Sequence, residues 1–147
     1  MNIKPLSSET LHAGSVAIDG RVVLIGGRSG QGKSDLALRL IDRGHSLVSD
    51  DYTFVRRVEG RLLASAPERI AGKIEVRGVG VLELPAVKDL PVALFVDLDL
   101  PAERLPTREE KRIVAGVTVP AVGLSGLEAS APIKVELALD RYGLPAS

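Results

Sequence analysis

The sequence predicts one α/β domain of mixed α+β character, built on a strand-rich sheet with few helices. Three observations predict it. An apolar run, Val22 to Ile25, enters Gly27-x-x-x-x-Gly32-Lys33-Ser34 and passes straight into a helical pattern. This is a strand, a glycine-rich turn and a helix, the context that gives a phosphate-binding loop its meaning. Second, most of the remaining segments read as short strands separated by turn residues, and only two stretches have helical spacing. Third, the chain has 147 residues, 45% of them apolar, and no linker or repeat divides it. One domain of that size, spanning 1–147, buries roughly 70% of its unfolded surface and needs no metal or disulfide staple.

Residues 11–18 read as a strand, and Asp19-Gly20 turns it into the strand Arg21 to Ile25 as a hairpin. In the helix from about Lys33 to Arg43, Leu36, Ala37, Leu40 and Ile41 share one face, with Asp35, Arg39 and Asp42 opposite. Gly44 suits its C-terminal stop. A short strand, 46–49, ends in Asp50-Asp51. Two strands follow, 52–57 and 61–65, around a Glu59-Gly60 turn. Residues 66–73 read as loop, and 74–83 as one strand or two broken at Gly78 and Gly80. The run 92–96 reads as a buried strand, 97–110 as surface, and 113–124 as a turn with an edge strand. A helix over 133–142, capped by Ser130 and stopped by Gly143, closes the chain, although the alternation of Val135, Leu137 and Leu139 also fits a strand.

Composition excludes several classes. Nineteen basic and nineteen acidic residues cancel without clustering, which argues against nucleic acid or a membrane surface as partner. The absence of Cys removes disulfides and thiolate chemistry. The N-terminus lacks a signal-peptide core, and no apolar stretch approaches the roughly 20 residues that span a bilayer. A cytoplasmic location is the expectation.

The loop residues Gly27, Arg28, Ser29, Gly30, Gln31, Gly32, Lys33 and Ser34 form the expected nucleotide-phosphate site. Glycines let backbone N–H groups converge on a phosphate, and the helix dipole adds to them. Lys33 is expected to reach the terminal phosphates and the Ser34 hydroxyl to ligate Mg²⁺. Asp50 and Asp51 close the next strand, where one carboxylate can serve Mg²⁺ or take a proton. Adjacent residues of an extended chain face opposite ways, so only one of the two need face the nucleotide. His12, on the neighbouring strand, can reach that carboxylate or a phosphate; by itself it also reads as an ordinary strand residue. Glu75 and Arg77 would share one strand face, as a metal carboxylate beside a phosphate-holding guanidinium or as a surface ion pair. His45 reads as a charge partner of the helix C-terminus.

These segments together resemble a known family. Gly27 to Leu38, then Arg43 to Asp51, and Ile74-Glu75-Val76-Arg77-Gly78-Val79-Gly80 are similar to the catalytic domain of HPr kinase/phosphorylase, a P-loop domain of the HPr kinase and PEP carboxykinase-like type. The resemblance implies an ATP- and Mg²⁺-dependent kinase that phosphorylates a serine of HPr, or a related carrier of the sugar phosphotransferase system, in regulation of carbohydrate or nitrogen metabolism. It implies Asp50 as general base with His12 beside it, and Lys33 with the loop glycines on ATP. It further implies Ser34 and Glu75 on Mg²⁺, Arg77 as the signature arginine, and Asp51 as second aspartate of the pair and a candidate metal ligand. The family's hexamers make a homo-oligomer one expectation. The chain resembles shortened forms without the family's N-terminal domain. It departs after the signature, where residues 81–87 replace a longer stretch. The segment Leu124 to Pro132 also lacks the arginine that members use in phosphorolysis, so the reverse reaction is not the expected one. A small-molecule kinase on this scaffold and a non-catalytic nucleotide sensor are the alternatives.

Overall fold

The computed structural model describes residues 6–106 and 109–146. The strands, in chain order, are β1 (Ser8–Leu11), β2 (Ala13–Ile18), β3 (Arg21–Gly26), β4 (Ser46–Ser49), β5 (Thr53–Val58), β6 (Arg61–Ser65), β7 (Lys73–Val76), β8 (Gly80–Glu83), β9 (Leu90–Asp97), β10 (Glu110–Val114) and β11 (Val117–Gly123). The helices are α1 (Lys33–Asp42) and α2 (Ala131–Tyr142). A 3-10 turn, Glu68–Ile70, interrupts the loop before β7.

A curled mixed sheet runs in the order β1-β5-β6-β9-β3-β2-β4, and β7 with β8 forms a separate hairpin. The sheet branches at β9. Its first residues, Leu90 and Pro91, pair antiparallel with β6, while Phe95 to Asp97 pair parallel with β11, which carries β10 on its far side. Throughout, β9 runs parallel to β3, the strand that enters the glycine-rich loop. That sheet explains the unbroken apolar run in β3. Val23 and Ile25 face the helices and pack with Leu36, Leu40, Leu94, Val135 and Leu139. Val22 and Leu24 face the other way, into a second core with Val55, Leu62, Ala64 and Val119. A strand covered on both faces has no position where a polar side chain is favoured.

The turn Asp19-Gly20, the Glu59-Gly60 turn and the strands around them match the sequence reading. α1 ends as expected: the N–H of Gly44 donates to Ile41 O and that of His45 to Leu40 O, the paired bonds of a glycine-terminated helix. Residues 74–83 resolve as two strands. The C-terminal segment is a helix, not a strand, because Ala131, Val135 and Leu139 bury one stripe against α1 and the sheet.

Three expectations fail in detail. Residues 11–18 are not one strand: the chain bends at His12, because β1 pairs with β5 whereas β2 pairs with β3 and β4. Ser130 stands at the start of α2 but its hydroxyl caps nothing, since its backbone is already helical. Gly143 is extended, so α2 ends without a left-handed glycine.

Candidate active site

The loop, α1 and the end of β4 meet at one corner of the sheet. Gly32 precedes α1 with φ +89°, a left-handed conformation that a side chain disfavours, and the N–H of Leu36 returns to its carbonyl at 2.8 Å. The first amides of α1 have no carbonyl partner within the helix, which leaves them to a phosphate held by the loop. Lys33 curls back, and its ammonium donates to the carbonyl of Gly27. The loop's start is held by Asp99, whose carboxylate accepts the N–H of Arg28 at 3.0 and 3.1 Å and its Nε at 3.1 Å. The Arg28 backbone N–H, then its side chain and charge, with a smaller contribution from the Lys33 charge, hold the Asp99 carboxyl below its ordinary value against desolvation.

Asp50 and Asp51 point in different directions, as the sequence reading expected, and their surroundings differ. Asp50 is 8% exposed, and both of its oxygens are engaged. The Ser34 hydroxyl donates to Oδ1 at 2.7 Å and the backbone N–H of Glu75 to Oδ2 at 3.0 Å. Asp51 adopts φ +66°, which swings the chain sharply at the end of β4 and carries its side chain outward. There its carboxylate accepts from the His12 ring: His12 Nε2 lies 3.0 Å from Asp51 Oδ1, both groups more than half exposed. The His12 ring stacks on Tyr52, with centroids 4.8 Å apart. His12 therefore bonds to Asp51, and the bend between β1 and β2 is what puts it there.

Buried hydroxyls hold this corner from below. The Thr53 hydroxyl donates to Ala13 O at 2.7 Å and lies 2.7 Å from Ser15 Oγ. The residues flanking His12 and Tyr52 are thereby tied together.

The expected oxygen cluster gathers only in part. Ser34 and Asp50 adjoin, and Glu75 joins them through its backbone amide while its side chain is exposed. Asp51 lies apart, committed to His12. Among the described residues, no three His, Asp or Glu side chains converge as a metal site. Ser34 and Asp50 are hard oxygen donors of the kind Mg²⁺ selects, and that ion draws its other ligands from phosphate and water. The pair fits the ion; Asp51 does not belong to it. Arg77 falls in the turn between β7 and β8, so it does not share a strand face with Glu75. The His45 side chain reaches α2: its Nε2 lies 2.6 Å from Glu136, a carboxylate that also takes Arg43 at 2.6 and 3.0 Å.

Sequence reasoning missed Asp97 and Asp99. Their signal was available, since an apolar strand ending in an acid beside the loop-bearing strand is where carboxylates reach a phosphate site. Asp97 Oδ2 takes Arg112 at 2.6 Å and its Oδ1 accepts the N–H of Asp99 at 2.9 Å, so both acids brace the loop.

With this geometry in hand, the comparisons with known proteins are specific. Residues 4–131 match the family model described as the HPr Serine kinase C-terminal domain. The chain belongs to that family. It is 44% identical over 92 residues to the HPr kinase/phosphorylase of Clostridium tetani, covering 62% of this chain and 30% of that protein. The HPr kinase/phosphorylase of Clostridium acetobutylicum is 43% identical over 90 residues, covering 60% and 30%. The matched stretch thus spans less than a third of these relatives' length. A solved structure, the Hpr(Ser) kinase/phosphatase from Coxiella burnetii, is similar at a TM-score of 0.79 and 30% identity, over 90% of this chain and 95% of that one. The family match and the strand-rich mixed sheet agree with the fold class that the sequence predicts.

Proposed function

We propose that the chain is a protein-serine kinase that transfers the γ-phosphoryl group of ATP, with Mg²⁺, to HPr or a related phosphocarrier. The single observation that carries this reading is the exposed His12–Asp51 pair beside the glycine-rich loop. A module that only senses nucleotide has no use for a solvent-facing proton acceptor next to its phosphate site. Kinship to the HPr kinase/phosphorylases named above supports the acceptor class.

The residues divide the work by what each already touches. Asp51 would take the proton of the acceptor serine as that oxygen forms its bond to phosphorus and the bond to ADP breaks, with His12 orienting the carboxylate. This assignment replaces the sequence expectation of Asp50 as base, because the oxygens of Asp50 are buried and occupied. Asp50 and Ser34 would hold Mg²⁺, which neutralises phosphate charge when bound. Lys33 would release Gly27 O and move to the phosphates, and Arg77, exposed on the hairpin, would meet the acceptor side. Val79 and Val81, 68% and 65% exposed on the same hairpin, suit a protein acceptor better than a small polar one. The segment 124–130 carries no arginine, and we infer forward phosphorylation without phosphorolysis. Kinship to the same relatives supports a cytoplasmic enzyme; among the described residues no helix is long and apolar enough to cross a membrane.

Mass spectrometry of HPr incubated with this protein and ATP·Mg²⁺ tests the reading. Phosphoserine is expected with the native chain and absent with Lys33→Met. Unmodified HPr alongside measurable nucleotide binding would reject the acceptor, and failure to bind nucleotide would reject the site itself.

A further inference from the structure

We propose that Arg39 is a positioning residue for the phosphate loop, acting through the Gly126–Glu128 segment that follows β11. The inference rests on the reading of the loop as a nucleotide-phosphate site and adds a residue outside it.

Arg39 lies on the polar side of α1, five residues beyond Ser34, and each nitrogen of its guanidinium has a polar neighbour. Nη1 donates to Glu128 O at 2.8 Å and Nη2 donates to Gly126 O. Nε lies 2.9 Å from Asp35 Oδ2, one helical turn back, at an angle that makes an ion pair but no hydrogen bond. A planar fork of this kind fixes two carbonyls in one orientation, which a single point charge cannot do. Those carbonyls belong to a segment pressed against the phosphate loop. A Cβ at Gly126 would stand 2.7 Å from Gln31 O and 2.8 Å from Leu98 Cδ1. A Cβ at Gly32 would stand 2.9 Å from Leu127 Cδ2, so the Leu127 side chain lies against the loop's last glycine. The far end of the segment is tied to α2, with Lys134 Nζ 2.6 Å from Glu128 Oε2 and the N–H of Ala131 donating to Glu128 O at 3.1 Å.

The consequence follows from what a phosphate loop is. Its affinity for a nucleotide comes from backbone N–H groups held in place before the ligand arrives, and any disorder in them is subtracted from binding. Gln31 and Gly32 have helix α1 on one side and the Gly126–Glu128 wall on the other. Among the described residues, Arg39 is the α1 side chain that bonds to that wall. Both of its Nη atoms donate to carbonyls, so it orients the loop without touching a phosphate. Releasing the wall loosens Gln31 and Gly32 while leaving the sheet and both cores in place.

Titration of MgADP into the native chain, Arg39→Met, Arg39→Lys and Gly126→Ala, with thermal melting of each, tests this. Arg39→Met is expected to weaken MgADP binding about tenfold or more, the scale on which a displaced binding group costs affinity, with a melting temperature close to native. Arg39→Lys restores part of the affinity, and Gly126→Ala, which pushes the wall away by its own Cβ, weakens binding in the same direction. In turnover assays KM for ATP rises and KM for the carrier protein stays. A folded Arg39→Met that binds MgADP within twofold of native would overturn the inference. So would parallel losses of melting temperature and affinity that Lys fails to rescue, the mark of a merely structural residue. A native chain that binds no MgADP would instead reject the site reading on which the inference rests.

Discussion

Replacing Asp51 by Asn and, separately, Asp50 by Asn should produce opposite defects, because the two carboxylates have different neighbours one residue apart. Asp51 and His12 are 55% and 53% exposed at 3.0 Å, and an exposed pair of that kind contributes no more than ~1 kcal/mol to stability. Asp51→Asn should therefore melt within about 2–4 °C of native. It should bind MgADP normally, yet lose phosphoryl transfer by about 10²–10⁴-fold, the usual contribution of a general base. Asp50→Asn should keep its fold for a different reason. The amide oxygen can still accept from the Glu75 N–H, and the new NH₂ can donate to Ser34 Oγ, so neither partner is orphaned. What it loses is the charge beside Ser34, and its activity should be recovered by raising Mg²⁺. Asp50→Ala goes further: it strands the Ser34 hydroxyl and the Glu75 N–H, at about 1–3 kcal/mol for each unsatisfied group, or roughly 2–4 °C per kcal/mol in melting temperature for a chain of this size. Calorimetry and single-turnover transfer at two Mg²⁺ concentrations separate these outcomes. If Asp51→Asn turns over at near-native rate while Asp50→Asn is dead at saturating Mg²⁺, the division of labour argued from burial is wrong.

Three further outcomes are expected. Arg43, followed by His45, holds the Glu136 carboxyl below its ordinary value against desolvation. The folded state therefore binds that proton less readily than the unfolded chain, so the clasp's stabilisation is complete above the ordinary carboxylate range and is lost as pH falls through the folded value. Glu136→Gln should flatten the acid side of the melting-temperature profile, and an unchanged profile would refute the assignment. Thr53→Val removes the side-chain donor to Ala13 O and the hydroxyl beside Ser15 Oγ in the buried corner under His12, at a cost of about 1–3 kcal/mol by urea denaturation; turnover should fall with it, and a variant as stable as native would exclude the tie. Leu40→Ala empties a fully buried position between α1 and the sheet, and should cost about 2–5 kcal/mol in the same assay. A cost below about 1 kcal/mol would mean that the helix face is not packed as described.

Much of this protein was determined locally. The loop Gly27 to Ser34, the hairpin turns Asp19-Gly20 and Glu59-Gly60, and the stop of α1 at Gly44 each depend on residue types within a few positions, and each reads directly from the chain. The family, too, follows from contiguous segments, and the comparison with residues 4–131 agrees. Tertiary structure decided the rest, because it turns on pairs distant in sequence. Whether His12 serves Asp50 or Asp51 depends on a bend that exists only because β1 and β2 join different strands. The fate of Arg39 depends on carbonyls more than eighty residues away, and the Asp99 clasp on Arg28 spans 71 positions. Adjacent aspartates look alike to any local rule. A left-handed backbone at Asp51 and the burial of Asp50 against Ser34 turn one carboxylate to solvent and commit the other to Ser34 and the Glu75 amide.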